Sequence, residues 1–372
     1  MAEQGKKLIE IVETFAPLHL AESWDNVGLQ LGNPDKEVQK VMVCLEVTET
    51  VIEEAIDRNV DMIITHHPLI FKPLKQIVTG NPMGGMIHSL IRRDILLYCA
   101  HTNLDIAKGG LNDIFAHSIG LVNIKALEIT HEEKYFKVVV FVPQSHLEDV
   151  RKALCEAGAG YIGNYKDCTF QSLGEGTFTP LEDTNPYIGI RGKLEVVKEY
   201  RLETILPESK LRRALKKMIE AHPYEEAAYD IYPLANTYDN MGMGRMGELK
   251  EPERLTDLCC RLKEMLGLEK IKIISNSDKY VQKIGLCTGS GSEFIHTAYL
   301  AGCDCFITGD IKYHEGQYAL QMNMPLIDGG HFNIENYTCD LFTRVLMEHF
   351  KDNQCNVDVF FANTNIDPFH FI

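Results

Sequence analysis

Two stretches that lie far apart in the chain repeat the same pattern. Residues 38–67, "VQKVMVCLEVTETVIEEAIDRNVDMIITHH", align without a gap with residues 281–310, "VQKIGLCTGSGSEFIHTAYLAGCDCFITGD". Each stretch predicts a strand, a helix and a second strand, the βαβ unit of a mostly parallel sheet. The chain is therefore predicted to be a duplicated α/β protein with two related halves. The identical positions include Val38, Gln39, Lys40, Cys44, Asp61, Ile64 and Thr65, which pair with Val281, Gln282, Lys283, Cys287, Asp304, Ile307 and Thr308.

Imidazole and carboxylate groups follow the predicted strands of both halves. "ILLYCAHTNLD" (95–105) and "MPLIDGGHFNIE" (324–335) both run an apolar strand into His-x-Asn-[Leu/Ile]-[Asp/Glu]. At the start of a helix, this four-residue spacing places both groups on one face. His66 and His67 come directly before Pro68, which indicates that their strand ends there. Because ligands of open α/β sheets bind outside the carboxyl ends of the strands, these groups are expected to converge.

The expected cluster has the composition of a transition-metal site. A single histidine is more often a hydrogen-bonded core or surface residue than a ligand, but here several such groups occupy corresponding strand ends. Imidazole combined with carboxylate suits Zn, Mn, Fe or Co better than Ca or Mg. A catalytic zinc ion normally takes three protein ligands, so a larger set predicts two divalent ions. The predicted ligands are His66, His67, Asp105, His331 and Glu335.

Two further histidines have more than one interpretation. His101 corresponds to His331 in the repeat, and it is a metal ligand, a group that orients a ligand, or a catalytic proton carrier. His314 lies in "GDIKYHE" (309–315), the counterpart of the histidine pair, and is a second candidate catalytic group. An ordinary strand-to-helix turn with solvated charges is the alternative for this segment. As the counterpart of the histidine pair, the segment would bring four residues near the pocket: Asp310, Lys312, Tyr313 and His314.

Two other segments are ambiguous from sequence alone. "CTGSGSEF" (287–294) follows a predicted strand and opens a predicted helix, where backbone amides favour an anion such as phosphate. It lacks the Gly-Lys-[Ser/Thr] of a P-loop, and a tight turn that requires glycine would look the same. "SWDNVGLQLGNP" (23–34) is rich in turn residues and contains the single tryptophan, so it either covers a pocket or caps the sheet.

The stretch between the two halves has a different organisation. "YFKVVVFVPQSHLEDVRKALCEAG" and "YRLETILPESKLRRALKKMIEAHP" each predict a strand followed by an amphipathic helix. Each is completed by a further strand, in "CTFQSLGEGTF" and "EEAAYDIYPL". The resulting βαββαβ order is the ferredoxin-like α+β pattern. The predicted domains are therefore a discontinuous α/β domain, residues 1–128 and 238–372, and an insert, residues 129–237.

Composition limits the partners and the compartment. The formal net charge of −16 disfavours a nucleic-acid backbone as the main partner, since such proteins usually present a basic face. No apolar run approaches the ~20 residues of a transmembrane helix, so no membrane association is expected. The N-terminus "MAEQGKKLIEIVETF" predicts an amphipathic helix rather than a signal peptide, and the scattered cysteines indicate reduced thiols. A cytoplasmic protein is expected.

Five motifs, in order, resemble the GTP cyclohydrolase I type 2 family, also called the Nif-three-like family: "SWDNVGLQLG", "ITHHPLIF", "HTNLD", "GDIKYHE" and "DGGHFNIE". The resemblance covers residues 1 to about 128 and 238–372, and the insert resembles the PII/CutA-like module of the longer bacterial members. It implies a Nif-three-like di-metal fold assembled as a toroidal homohexamer. The family's ligand pattern falls on the five ligands predicted above.

Two classes of function remain open on this evidence. The first is a dinuclear-metal-dependent hydrolase, with GTP cyclohydrolase-type ring opening of a nucleotide by metal-activated water as the reaction that the resemblance implies. A nucleotide or other phosphate-bearing small molecule would be its ligand, with zinc as the first choice of metal. The second is a metal-binding regulatory or chaperone-like hexamer in which the insert senses a small molecule.

Overall fold

The computed structural model describes residues 2–236 and 240–370, which divide into two compact units of a mixed α/β fold. One unit combines Met1–His131 with Met241–Ile372, and the other is the intervening stretch Glu132–Asn240. The chain thus leaves the first unit, builds the second, and returns to complete the first. Within the described residues, no helix is both long and apolar enough to cross a lipid bilayer.

The N-terminal part of the larger unit alternates strands and helices. Thr48 Oγ1 accepts a hydrogen bond from Val51 N (3.2 Å), and Asn81 Oδ1 accepts one from Gly84 N (2.7 Å), so two of its helices begin at side-chain caps. Its elements are β1 (Glu3–Gln4), α1 (Gly5–Phe15), β2 (Gly28–Leu31), β3 (Glu37–Val38), β4 (Lys40–Cys44), α2 (Glu49–Asp57), β5 (Met62–Thr65), α3 (Pro82–Arg92), β6 (Leu96–Cys99), α4 (Thr102–Ile106), α5 (Leu111–Ser118) and β7 (Leu121–Glu132).

The insert unit is built on one antiparallel sheet. Its elements are β8 (Tyr135–Pro143), α6 (Leu147–Glu156), β9 (Thr169–Phe178), β10 (Glu195–Pro207), α7 (Glu208–Ala221) and β11 (Tyr229–Pro233). The strand order is β11-β8-β10-β9, and every neighbouring pair is antiparallel. Both helices cover one face, because Val138, Val140 and Leu202 form a buried cluster with Val150 and Ala214. The opposite face of the sheet is left without a helix from the described part of this unit.

The returning chain completes the larger unit with a second sheet. Its elements are β12 (Asn240–Arg254), α8 (Leu255–Met265), β13 (Lys272–Ile274), β14 (Tyr280–Leu286), α9 (Ile295–Leu300), β15 (Cys305–Thr308), α10 (Tyr313–Gln321), β16 (Leu326–Asp328), α11 (His331–Asp352) and β17 (Asp358–Phe361). This sheet has the order β13-β16-β15-β14-β12-β7, in which β14, β15 and β16 are parallel. The first sheet has the order β17-β4-β5-β6-β2, in which all strands except β2 are parallel.

Corresponding carboxylates stabilise the two sheets in the same way. Asp61 Oδ2 accepts hydrogen bonds from Gln39 N (2.8 Å) and Lys40 N (3.1 Å) at the start of β4. Asp304 Oδ2 accepts the equivalent bonds from Gln282 N (2.9 Å) and Lys283 N (2.8 Å) beside β14. All residues of β5, β6 and β15 are buried, as expected for parallel strands that are covered on both faces.

Candidate metal centre

The histidine pair lies where β5 ends. The backbone amides of His66 and His67 donate to Cys44 O (3.0 Å) and Leu45 O (2.8 Å), which holds the turn against the end of β4. Because the strand does not continue, the two imidazole rings lie side by side, with centroids 5.3 Å apart. His66 is only 2% exposed, and its Nδ1 lies 2.8 Å from Ala100 O. If Nδ1 donates to this carbonyl, as the geometry indicates, Nε2 keeps its lone pair for another partner.

The second pair follows β6. His101 is the residue before α4, and Asp105 is a buried residue on the first turn of this helix. Asp105 Oδ1 accepts a hydrogen bond from Thr288 Oγ1 (3.2 Å), while its Oδ2 lies 3.7 Å from His66 Nε2. Burial raises the pKa of Asp105, and the nearby Glu335 carboxylate raises it further against the opposing effect of His66.

The third pair opens α11. His331 Nε2 and Glu335 Oε2 are 2.8 Å apart, as the spacing of four residues on one helix face predicts. Gly289, with a φ of +69°, packs its backbone against this pair, and a Cβ at this position would lie 2.2 Å from Glu335 Oε1. A tight turn thus accounts for glycine at 289 in the segment 287–294.

These three pairs converge on shared points. His67 Nε2 lies 2.9 Å from Glu335 Oε2 and 3.3 Å from His331 Nε2. Glu335 Oε1 faces the other way and lies 3.7 Å from His66 Nε2. Within the described residues, two groups of side chains could hold a metal ion, and His67 belongs to both. One is His66, His67 and His101, and the other is His67, His331 and Glu335.

Unsatisfied buried atoms indicate that a cation fits this cluster. His66 Nε2 and Glu335 Oε2 are buried, and neither makes a hydrogen bond of acceptable geometry within residues 2–236 and 240–370, although two imidazole nitrogens lie within 2.9 Å of Glu335 Oε2. Buried polar atoms normally have partners, so orphaned ones at the centre of a histidine and carboxylate cluster fit a bound ion. The nitrogen and oxygen donors are those that transition metals prefer.

The charges of the cluster are strongly coupled in the metal-free protein. Burial by itself would raise the pKa of Glu335, but His331, His66 and His67 outweigh it and hold that pKa well below its usual range. Burial likewise lowers the pKa of His66, yet Asp105 and Glu335 raise it to about 9. Glu335 and Asp310 raise the pKa of His331 to about 10 against the effect of burial. Protons therefore occupy the cluster at neutral pH when no metal does.

Two carboxylates outside the predicted ligand set orient the imidazoles. Asp25 Oδ1 lies 2.9 Å from His101 Nδ1, and its Oδ2 accepts a bond from Thr102 N (3.1 Å). Burial opposes ionisation of Asp25, but His101 and Thr102 prevail and lower its pKa to about 2. Asp310 Oδ2 lies 2.8 Å from His331 Nδ1 in the same way. The sequence places Asp25 in a turn-rich segment that either covers a pocket or caps the sheet, and no local signal predicts its contact with His101.

The structure separates the two candidate catalytic histidines. The His101 ring lies 5.1 Å from the ring of His66 and 5.6 Å from that of His67, so it belongs to the cluster. His314 is exposed on the first turn of α10, with its ring 5.3 Å from that of Tyr313. It is not a member of either ligand group among the described residues. From the segment 309–315, it is Asp310 that contacts a predicted ligand.

Comparison with known proteins places this architecture in a family. The sequence profile of Duf34/NIF3 (NGG1p interacting factor 3) matches residues 4–368. The chain belongs to the DUF34/NIF3 family. Relatives named "GTP cyclohydrolase 1 type 2 homolog" from Halalkalibacterium halodurans and Bacillus subtilis are each 40% identical over 368 residues, covering 99% of this chain and 99% and 98% of theirs. The resemblance inferred from the five motifs is thereby confirmed.

Solved structures of the DUF34/NIF3 family share the fold. A Bacillus cereus protein related to NIF3 is 41% identical, with a TM-score of 0.93 over 100% of this chain and 99% of that one. The Staphylococcus aureus protein SA1388 is 31% identical, with a TM-score of 0.79 over 100% and 99% of the two chains. Both matches span the insert as well as the two sheets, so the whole architecture is common to these relatives.

Proposed function

We propose that this member of the DUF34/NIF3 family is a dinuclear-metal-dependent hydrolase that acts on a nucleotide. The observation that carries the proposal is the pair of ligand groups that share His67, with orphaned buried atoms on His66 and Glu335 between them. Two divalent transition-metal ions would be held by the five predicted ligands, with zinc the first choice for this mixture of nitrogen and oxygen donors. The ligands would be His66, His67, Asp105, His331 and Glu335.

His101 is the residue best arranged to move a proton. Metal ions in such a site supply Lewis acidity and lower the pKa of water. Hydrolytic ring opening of a purine adds water at a ring carbon and breaks one carbon–nitrogen bond, and the released nitrogen takes up a proton. Asp25 holds His101 Nδ1, so that Nε2 of the same ring is left to accept or donate this proton. His101 also belongs to a ligand group, so direct coordination of a metal ion is its alternative role.

An exposed aromatic surface beside the cluster supports a planar substrate. Trp24 is 56% exposed, and its ring lies 6.0 Å from Phe71 and 6.1 Å from His101. Flat aromatic side chains of this kind stack on heterocyclic bases. The names of the curated relatives point to the same substrate class, so GTP is the first nucleotide to test.

Turnover by the metal-loaded protein tests this proposal. The protein loaded with Zn, Mn or Fe should convert GTP to a ring-opened product that mass spectrometry detects as the addition of one water. His67→Ala should abolish this reaction because His67 belongs to both ligand groups, whereas His88→Ala, at an exposed position on α3, should not change it. Metal binding that depends on His67, without turnover of any nucleotide, would contradict a hydrolase.

A regulatory or chaperone-like role is the second candidate. It is favoured by one observation, a large cavity inside the insert unit and therefore outside the metal-binding unit. Under this alternative the metals stabilise an assembly, and a small molecule bound by the insert regulates it. The GTP experiment distinguishes this role from a hydrolase, because only a hydrolase would form a ring-opened product.

The domain organisation and assembly complete the proposal. We propose that the larger unit arose by duplication, which the matched contacts of Asp61 and Asp304 support. The order β11-β8-β10-β9 with two helices on one face supports a ferredoxin-like, PII/CutA-like insert, close to the proposed range 129–237. A cytoplasmic homohexamer remains the proposed state, and light scattering of the purified protein tests it by its mass.

A further inference from the structure

A large cavity of the insert unit lies on the sheet face that its helices leave free. It is a cavity of about 610 Å³, within the size range of small-molecule sites. Its floor is formed by β9 and β10, and its walls by residues 180–188 and 224–228. Glu225 carboxylate oxygens accept a hydrogen bond from Asn185 N (3.1 Å), which fastens the two walls together. The cavity is therefore built from the insert alone.

Two glycines create the floor of this cavity. Gly174 is the direct cross-strand partner of Glu199, and Gly176 lies two residues further along the same face of β9. A Cβ at Gly176 would lie 2.5 Å from Glu199 Oε2, whereas a Cβ at Gly174 would meet nothing within 4 Å. Side chains at these two positions would fill the space above Glu199. Because both positions are glycine, this space stays open and the Glu199 carboxylate faces the cavity.

Glu199 is a buried acid without a cation of its own. It is 9% exposed, and no ion pair involves it in the part of the chain that the structure describes. Arg201, which lines the same cavity two residues further along β10, already pairs with Glu203. A buried carboxylate is costly unless it is paired, so this position favours a positively charged ligand.

Aromatic rings and an unsatisfied hydroxyl surround the same carboxylate. The ring of Tyr224 lies 6.1 Å from that of Phe178 and 6.0 Å from that of Tyr187. The Tyr224 hydroxyl is buried close to the Glu199 carboxylate, and burial and this carboxylate both raise its pKa, but it makes no hydrogen bond of acceptable geometry among the described residues. His222 fixes the backbone here, since its Nδ1 accepts from Tyr224 N (3.1 Å) and its Nε2 lies 2.9 Å from Phe141 O. Ring faces of this kind attract cations.

We propose that the insert binds a small organic cation, a protonated amine carried on an apolar or aromatic body. The ammonium group pairs with Glu199, the Tyr224 hydroxyl supplies a further polar contact, and the apolar body fills the space between the aromatic rings. This site is separate from the metal centre and does not depend on the reaction proposed there. It gives the insert a ligand class of its own.

A series of indole probes of similar size tests the sign of the charge. Tryptamine is cationic at neutral pH, tryptophol is neutral and indole-3-propionate is anionic, and each is titrated into the full-length protein while saturation-transfer NMR monitors binding. We expect tryptamine to bind at least about tenfold more tightly than tryptophol, since it alone neutralises a buried carboxylate. Indole-3-propionate should bind most weakly.

Three variants test whether Glu199 causes the preference for tryptamine. Glu199→Gln should reduce tryptamine affinity about tenfold or more and remove the preference over tryptophol. Glu208→Gln, which removes the same charge from an exposed position on α7, on the opposite face of the sheet, should leave both unchanged. Gly174→Val, which places a side chain in open space, should preserve the fold and block all three probes.

Four results would overturn the proposal. They are no binding of tryptamine at millimolar concentration, equal affinity for the three probes, tighter binding of the anion, and unchanged selectivity in a folded Glu199→Gln protein. If Glu199→Gln does not fold, the probe series and Gly174→Val still decide, because continued tryptamine binding by Gly174→Val would place the amine elsewhere.

Discussion

Asp25 Oδ1 lies 2.9 Å from His101 Nδ1, although the two residues are far apart in the sequence. The carboxylate holds the imidazole so that Nε2 faces the cluster, and the backbone amide of Thr102 binds its other oxygen. Asp310 orients His331 from the second half in the same manner, at 2.8 Å. Carboxylates that orient metal-binding histidines in this way also increase the basicity of the ring. The two contacts thus indicate a centre that is preorganised from both sheets.

The first prediction concerns this orientation. Asp25→Asn should weaken metal binding or turnover about 10- to 100-fold, because it removes the charge that fixes the His101 ring. The matched control is Asp35→Asn, at an exposed position in the loop between β2 and β3. Titration of metal into both variants and the unchanged protein measures the effect. Equal affinity and equal turnover in all three proteins would show that Asp25 only supports the loop.

The second prediction concerns pH. In the metal-free protein the pKa of His66 is raised to about 9 and that of His331 to about 10, so both rings are protonated at neutral pH. Metal ions must displace these protons, and the apparent affinity should rise with pH until about 10 and then level off. The protonated rings also stabilise the metal-free fold, and this stabilisation changes with pH in the opposite direction to the metal affinity. It is complete below the ordinary pKa of histidine and is lost as pH rises through 9 to 10.

Calorimetry in buffers of different ionisation enthalpy measures this exchange directly. Metal binding at neutral pH should release protons, and Glu335→Gln should reduce the number, because Glu335 raises the pKa of both histidines. Metal uptake without proton release at neutral pH would contradict the raised pKa values.

The third prediction distinguishes the two buried carboxylates. Glu335 directs Oε1 toward His66 and Oε2 toward His67 and His331, whereas Asp105 directs Oδ2 toward His66 and accepts a hydrogen bond from Thr288 at its other oxygen. Glu335→Gln should therefore disturb both metal ions, and Asp105→Asn mainly one. Stepwise chelation followed by elemental analysis should show two phases. A single phase, with every ligand variant losing both ions equally, would favour one cooperative cluster.

The fourth prediction concerns the insert. A variant in which a short flexible linker joins residue 131 to residue 241 should fold and load metal, because the ends of the larger unit are close together. A Cβ at Gly242 would lie 1.8 Å from Glu128 O, so the two strands that lead into the insert are in contact. Insertions at such points are usually tolerated. Failure to load metal in a soluble variant would make the insert part of the site.

Sequence could predict the strand ends but not the contacts between distant loops. The repeat and the spacing of four residues identify His331 and Glu335 as neighbours because both features are local properties of strands and helices. The contact of Asp25 with His101 depends on how a loop crosses the end of β6, which no local period encodes. His314 illustrates the same limit, since the repeat predicts its segment near the site but not which side chain of that segment points inward.

Anomalous diffraction from crystals of the zinc-loaded protein tests directly whether the centre is dinuclear. We expect two zinc peaks per chain in the space between His66, His67, His331 and Glu335, both absent from crystals of a folded His67→Ala protein. Zinc peaks confined to other parts of the surface, or a single ion bound in this cluster under saturating zinc, would contradict a dinuclear centre.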